Sequence, residues 1–436
     1  MTIPVDFNIW YGLLGLLPLV VYLVLIFTYK EPIPITILCV VLGALITHQT
    51  IFSLANEFVK SLGSFLALVG LIIMMGRGLG EILNATKVSH TLVHKIIYTI
   101  GVNTQRKAMA GIVVASIIIV GLLGTMAGGI SIIAPIVLPV AASVGLTRST
   151  VATLFHVAGE EGLTLGPFTP PTVTLLAFVG ITYGDMLFKA AIPVAIVTLL
   201  CNWFMACRIQ KETQGINDYE QSEIGEQFVP DGHNTRTTVI FILSFIIALA
   251  YGIIFNASTS YVTVVMLGLA IITGLVGGIS IKRIFELFVQ GMAGNLHLFV
   301  LFLLLNPFMN FMEEAGAFKA LTILIQPLAN YGGKEAVPII AGLTGTFGLT
   351  GATVAIIKMI HDMFAPLINQ YGINSIVWAI AIIIATRACN FVHPGANMFS
   401  AMGFAQTKDM VSMIKNGWVI AFFQILFLCI VSLLFA

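Results

Sequence analysis

Charge is what this chain of 436 residues has least of: 20 Lys and Arg against 19 Asp and Glu, 9% of all positions. A soluble domain carries about 25% charged residues, so a water-surrounded globule is excluded. A formal net charge of +1 offers nothing to the phosphate backbone of a nucleic acid, and none is expected as a partner. Cysteine is also scarce. Cys39, Cys201, Cys207, Cys389 and Cys429 lie in apolar segments without metal-ligand or disulfide spacing, so packing is their expected role. No nucleophile elbow, zinc-binding HExxH or phosphate loop is present; neither an enzyme nor a cofactor is expected. The first apolar run, Ile9 to Thr28, is closed by Lys30 and lacks a preceding basic stretch or a cleavage site. It reads as an uncleaved first helix.

What is there is hydrophobic, at 58% of residues. A membrane-spanning helix needs about 20 mainly apolar residues, and such runs recur along the chain. The expected fold is an all-α polytopic membrane protein of roughly ten to fourteen segments, and the lipid bilayer is its first partner. The least apolar stretch, RIQKETQGINDYEQSEIGEQFVPDGHNTR, covers residues 208–236 and includes the acids Glu223 and Glu226. It divides the chain into 1–207 and 237–436.

The two parts resemble each other. GEILNATK, ending at Lys87, parallels MEEAGAFK, ending at Lys319; GLLGTMAGG from Gly121 parallels GTFGLTGAT from Gly345; LPVAASVGL from Leu138 parallels APLINQYGI from Ala365. PFTPPTVTLLAF from Pro167 parallels NFVHPGANMFSA from Asn390, and GDM at Gly184 parallels KDM at Lys408. Five pairs in one order, at offsets between about 223 and 232, indicate a repeat. Cytoplasmic loops collect Lys and Arg. Placing Lys87, Lys95, Arg106, Lys107, then Arg208, Lys211 and Arg236, then Lys282 and Arg283 inside requires an odd number of crossings per half, although Lys60, Lys319 and Lys334 then fall outside. The expectation is two inverted repeats joined by a cytoplasmic linker, each with a broken-helix re-entrant hairpin.

The breaks are where function is expected. Pro167, Pro170 and Pro171 remove three donors and fix three φ angles, and each disfavours helical geometry in the residue before it. Lipid offers no water to freed backbone groups, so such a break persists only inside protein or beside a polar cavity. Matched Gly/Pro interruptions in two halves mark the midplane site of a transporter. Candidate substrate contacts are therefore Gly166, Thr169, Pro170, Pro171 and Thr172 at the first break, with Arg387, Asn390, His393, Pro394 and Asn397 at the second. Ionisable residues within a membrane are functional candidates by default. Arg387 could clamp a substrate carboxylate, and Glu160 or Glu161 could carry a coupling proton. Lys358, His361 and Asp362 share a helix face by their spacing, and Lys358 and Asp362 are further coupling candidates. Each has a plainer alternative. Glu160 and Arg387 can pair as a bridge between repeats, Lys358 and Asp362 can pair locally, Thr169 and Thr172 can satisfy backbone freed by proline, and His393 can act as a cap. His156 and Glu160 have metal-helix spacing without a third ligand. Gly128–Gly129 and Gly277–Gly278 suggest close helix packing, and Lys87 to Ile100 suggests an interfacial helix.

The stretch GPFTPPTVTLLAFVGITYGDMLFKAAIP from Gly166 resembles the first-half signature of the ion transporter superfamily, and its Gly-Pro, Pro-Pro, Gly-Asp and Ile-Pro pattern is similar to the large membrane subunit of TRAP transporters. GATVAIIKMIHDMFAPLI from Gly351 and FVHPGANMF from Phe391 are more similar to the gluconate/proton symporters; the citrate-type carriers belong to the same group. The resemblance implies import of a small organic anion driven by H⁺ or Na⁺, in the bacterial inner membrane. It leaves open the need for a periplasmic binding protein, and a homodimer is compatible with it. Alternatives are a Na⁺/H⁺ antiporter, an amino-acid/proton symporter, or a membrane subunit of a multi-component transporter.

Overall fold

The computed structural model describes residues 8–29, 31–101, 103–220, 228–255, 257, 259–347 and 353–436. Lys30, the linker acids Glu223 and Glu226, and positions 348–352 of the second glycine-rich motif lie outside the described residues. Through the first half the helices run α1 Ile9–Leu14, α2 Leu17–Tyr29, α3 Pro32–Ile46, α4 Ile51–Leu62, α5 Phe65–Ala85 and α6 Val88–Ile100. They continue with α7 Gln105–Leu123, α8 Met126–Ser143, α9 Arg148–Leu165, α10 Pro170–Val179, α11 Tyr183–Asp185 and α12 Ile192–Thr213. The second half has α13 Gly232–Ile254, α14 Tyr261–Val276, α15 Ile281–Ala293, α16 Leu296–Glu314 and α17 Ala317–Thr346. It closes with α18 Thr353–Tyr371, α19 Ser375–Val392, α20 Ala396–Phe404 and α21 Met410–Phe435. The protein is all-α and polytopic. Among the described residues eight helices are long and apolar enough to cross a membrane, the bent pair α9–α10 makes a ninth, and three shorter apolar helices lie among them.

The order of elements repeats. α9 begins at residue 148 and α19 at 375, a separation of 227; α8 and α18, beginning at 126 and 353, share it. α17 is kinked at Gly333 (φ 70°, ψ −170°), which splits it into two pieces matching α6 and α7. α4 and α15 match as well. Each is capped by a hydroxyl, Thr50 or Ser280, and each leaves large apolar side chains outside, Ile51 and Phe52 on one, Ile281 and Val289 on the other. Such faces suit the membrane surface. α6, where an interfacial helix is expected from the sequence, buries Val88, Leu92, Val93 and Ile97 in the core around α5 to α9.

Helix association in lipid gains little from hydrophobicity, so close packing and buried polar bonds decide it. α7 and α9 meet through glycines: a Cβ on Gly166 would lie 2.5 Å from the Gly121 carbonyl oxygen. Of the expected packing glycines, Gly129 abuts Val120 and Gly277 abuts Thr86. The halves interlock, since α5 packs on α14, α15 and α16.

The linker is partly helical, because α12 continues through Thr213. Its next residues tie the two halves together. Asn217 Nδ2 donates to Ser149 Oγ (2.6 Å) and Thr407 Oγ1 (2.8 Å), and Tyr219 donates to the Ala405 carbonyl (3.0 Å). Asp409 caps α21, accepting from the Ser412 N–H (3.1 Å) and from the Ser149 hydroxyl (2.7 Å). Burial pushes its carboxyl up, but the Ser412 and Ser149 hydrogen bonds outweigh this and hold it below the usual carboxylate range. A depressed value in the folded state means that the cap contributes fully above the unfolded value of about 3.9 and is lost as pH falls through the folded one. Asp409→Asn is therefore expected to flatten the acid side of the stability curve below about pH 4, as read by thermal unfolding across pH; an unchanged acid limb would show that this cap is not its source.

Candidate functional site

α9 and α19 are buried on every side, from Ser149 to Thr164 on one and from Val377 to Val392 on the other. A helix enclosed in this way belongs to the centre of a bundle. Each ends in a break. After Leu165 the chain is extended at Gly166 (φ −67°, ψ 131°) and re-enters helix at Pro170 and Pro171, the first residues of α10. The bend between α9 and α10 is 42°. The tight turn lies two elements earlier, where α7 and α8 are joined by Gly124, left-handed at φ 67°, and Thr125. Gly124 packs beside Pro170, so the hairpin tip touches the break. The second break follows Val392, with His393 extended as the α19 cap, then Pro394, and Gly395 before α20.

Freed backbone groups at the first break are satisfied from within. Thr169 Oγ1 donates to the carbonyl of Leu163 (2.5 Å) and lies 3.1 Å from that of Gly166; Thr172 Oγ1 reaches the Thr164 carbonyl (2.9 Å) and Tyr183 the Leu165 carbonyl (2.7 Å). The two threonines thus do what the plainer alternative expects of them.

Between the breaks sits an ion pair. Arg387 Nη1 donates to Glu160 Oε2 and, at 3.0 Å, to the Glu160 carbonyl. Asn390 Nδ2 donates to Glu160 Oε2 (3.0 Å) and Asn397 Nδ2 to Oε1 (2.6 Å). Glu160 is 0% and Arg387 1% exposed. One acid from the first half is thereby held by three donors from the second. Arg387 Nη2 has no partner among the described residues, and the side chain lines a small cavity with Thr164, Pro171 and Thr172. Asn390, Asn397 and Gly395 line another with Thr353. The structure separates the two glutamates: Glu161, also 0% exposed, has no donor to either oxygen among the described residues.

His156 stacks edge-on against Phe391 at 5.6 Å, and no group of metal-ligating residues occurs among the described residues. Lys358 and Asp362 pair with each other at 2.5 Å, both about four-fifths buried. With His361 they face Phe178 of α10, behind the break and away from the ion pair. A cavity of about 460 Å³ lies between α10 and α13–α14, lined by Pro167, Phe168, Leu176, Gly252 and Tyr261. It is a crevice on the outer side of the broken helix and does not reach Arg387.

Residues 16–436 match the tripartite ATP-independent periplasmic transporter, DctM component. The chain belongs to the DctM family. Of the three groups its motifs resemble, the match falls on the TRAP subunit, whose Gly166-Pro167, Pro170-Pro171 and Gly184-Asp185 pattern carried the likeness. Two solved structures share the fold of this DctM chain. The YdaH transporter of Alcanivorax borkumensis superimposes with a TM-score of 0.65 at 13% identity, covering 92% of this chain and 98% of that one. MtrF of Neisseria gonorrhoeae, described among antimetabolite efflux pumps, gives 0.64 at 12% identity, covering 94% and 96%. No curated protein matches. The DctM chain is the membrane component of a secondary transporter that works with other subunits, multi-pass in the bacterial inner membrane.

Two features of the site escape a search for ionisable residues and prolines. The Gly124–Thr125 tip is visible in sequence as a glycine-rich motif common to both halves, GLLGTMAGG and GTFGLTGAT, which serves there only to align them. The amides of Asn202, Asn416 and Gln424 are neutral and scattered, and carry no local signal.

Proposed function

We propose that this chain imports a small carboxylate, coupled to H⁺ or Na⁺, as the transport subunit of a tripartite carrier. Substrate is held between residues 166–172 and 390–397, and the two halves, as inverted repeats, expose it to each side in turn. The observation that carries this reading is the pairing of two broken helices through Arg387 and Glu160, with an Arg387 donor left over toward a cavity that the first break lines. A carboxylate is the natural partner of that donor, and the amides of Asn390 and Asn397, which hold Glu160, line a second cavity at the other break. Coupling falls to Glu161, because Glu160 is already engaged by Arg387, Asn390 and Asn397. The same engagement disfavours an antiporter built on Glu160 and Asp362, each of which already has a charged partner.

Reconstituted protein, with and without a candidate binding protein, should accumulate one of gluconate, citrate or the C4-dicarboxylates under an imposed H⁺ or Na⁺ gradient. Arg387→Lys is expected to weaken substrate affinity about tenfold or more, since an ammonium does not replace a rigid guanidinium that holds Glu160 with one nitrogen and offers the other to substrate. Full affinity in that variant would remove Arg387 from the substrate site. Flux of Na⁺ that tracks pH with no acid accumulated would replace the carboxylate reading with the antiporter.

A further inference from the structure

α12 and α21 pack along each other and bury neutral polar side chains where two membrane helices ordinarily present small or apolar ones. Thr198 and Gln424 are 0% exposed, Asn202 and Asn416 1%. Gln424 Nε2 donates to Thr198 Oγ1 (2.8 Å) and Asn416 Nδ2 to Asn202 Oδ1 (2.9 Å). Gln424 Oε1 and Asn416 Oδ1 receive no hydrogen bond among the described residues. Buried polar groups are nearly always satisfied, so acceptors left open in a row call for a mobile donor. The upper end of the row is Glu161, whose two oxygens also lack donors and which faces Thr198. The charged groups within its reach are Arg387 from α19 and Glu160 from its own helix, and α12 presents neutral Thr198, which Gln424 of α21 bonds in turn. A bare carboxylate buried without donors costs many kcal/mol, so Glu161 needs a proton or another cation. The lower end is Ser412, one turn from Asn416, whose hydroxyl bonds Asp409 (2.6 Å) in the cluster with Ser149 and Asn217 of the linker. From Ser149 to Glu161 is twelve residues of α9, about 18 Å of helix rise. The row therefore runs from the linker side to the level of the two breaks.

We propose that the α12–α21 seam is the proton inlet of the transporter: Asp409, Ser412, the Asn416–Asn202 pair and the Gln424–Thr198 pair, with single waters between them, deliver the coupling proton to Glu161. This rests on the reading that Glu161 carries that proton. The proton moves as H⁺ along the waters, each accepting one proton and releasing another, while the amides and hydroxyls hold the waters in line and keep their own protons; Glu161 ends as the neutral acid donating to Thr198 Oγ1.

Infrared difference spectra of the purified full-length protein after a pH jump test both parts, with the proton itself as the probe. Glu161→Gln should erase one carboxylic-acid carbonyl band. Asn202→Leu with Asn416→Leu removes both members of a bonded pair and leaves no orphaned amide. It should keep that band's amplitude but slow its appearance about tenfold or more, a barrier raised by about 1.4 kcal/mol. Gln424→Met, a single change elsewhere in the seam, should slow it likewise and guards against misfolding of the double variant. A Glu161 band that appears at the wild-type rate in these variants overturns the inlet and leaves the carrier standing. Absence of any Glu161-dependent band in the wild type overturns Glu161 as the proton-carrying group, and the inlet with it, while uptake of a carboxylate under a Na⁺ gradient would still stand.

Discussion

Glu160→Ala should unfold the protein more readily than any other single change at the site, and Arg387→Met should come close to it. Each leaves one buried charge facing a vacated partner. Removing one member of a buried pair costs about 3–5 kcal/mol, a large share of a stability that is ordinarily about 5–15 kcal/mol. Glu160→Ala also orphans the amides of Asn390 and Asn397, which both donate to that carboxylate. The double variant Glu160→Gln with Arg387→Met leaves no charge stranded, and replacing a buried pair by neutral groups is often nearly neutral for folding. The expected pattern is a large drop in unfolding temperature for each single variant, substantial recovery in the double, and no transport in any of the three. Recovery of stability together with transport would reduce the pair to a structural bridge. Equal losses in single and double variants would mean that the pair is not energetically coupled.

The second large effect is expected at Gly417, which carries no charge and touches no substrate. A Cβ there would lie 1.8 Å from the Phe391 carbonyl oxygen, two residues before the second break. Neither atom sits on a flexible side-chain end, so α21 and α19 must separate. Overpacking typically costs about 1–3 kcal/mol and occasionally more, and a backbone-to-backbone clash belongs at the upper end. Gly417→Ala should therefore abolish uptake and lower the unfolding temperature, whereas Gly403→Ala in α20, where an added Cβ meets nothing within 4 Å, should be tolerated. Uptake by Gly417→Ala at the wild-type rate would show that the α19–α21 contact can shift without disturbing the break.

Much of this was legible in sequence because it rests on backbone chemistry. Proline at 167, 170 and 171 forces the first break wherever the chain lies, and His393-Pro394-Gly395 forces the second. Intramembrane charge is so scarce that Glu160 and Arg387 stand out, and the repeat sets them opposite each other. What the repeat leaves undecided is whether Arg387 serves substrate or Glu160, because that depends on side-chain reach across α9 and α19. The surface helices α4 and α15 escaped because they are only 12 and 13 residues long, too short for a search keyed to spanning runs. The α12–α21 seam escaped for a different reason. Asparagine, glutamine and threonine inside apolar helices lower hydropathy only slightly, and their significance appears once two helices bring them face to face.

The interlocking of α5 with α14, α15 and α16 has a consequence for biogenesis. As the ribosome delivers the first half to the membrane, the surface of α5 that will meet those helices has no protein to cover it. The small residues along it, Gly70 against Phe299 and Gly78 against the Phe288 carbonyl, form grooves shaped for a segment not yet synthesised. The early helices must wait in lipid until more than two hundred further residues have been translated and inserted, and a chain arrested at the linker leaves that face of α5 without its partner. Quality-control proteases should meet such a fragment as an unfinished assembly, and co-expressed halves should be rescued from degradation only by finding one another.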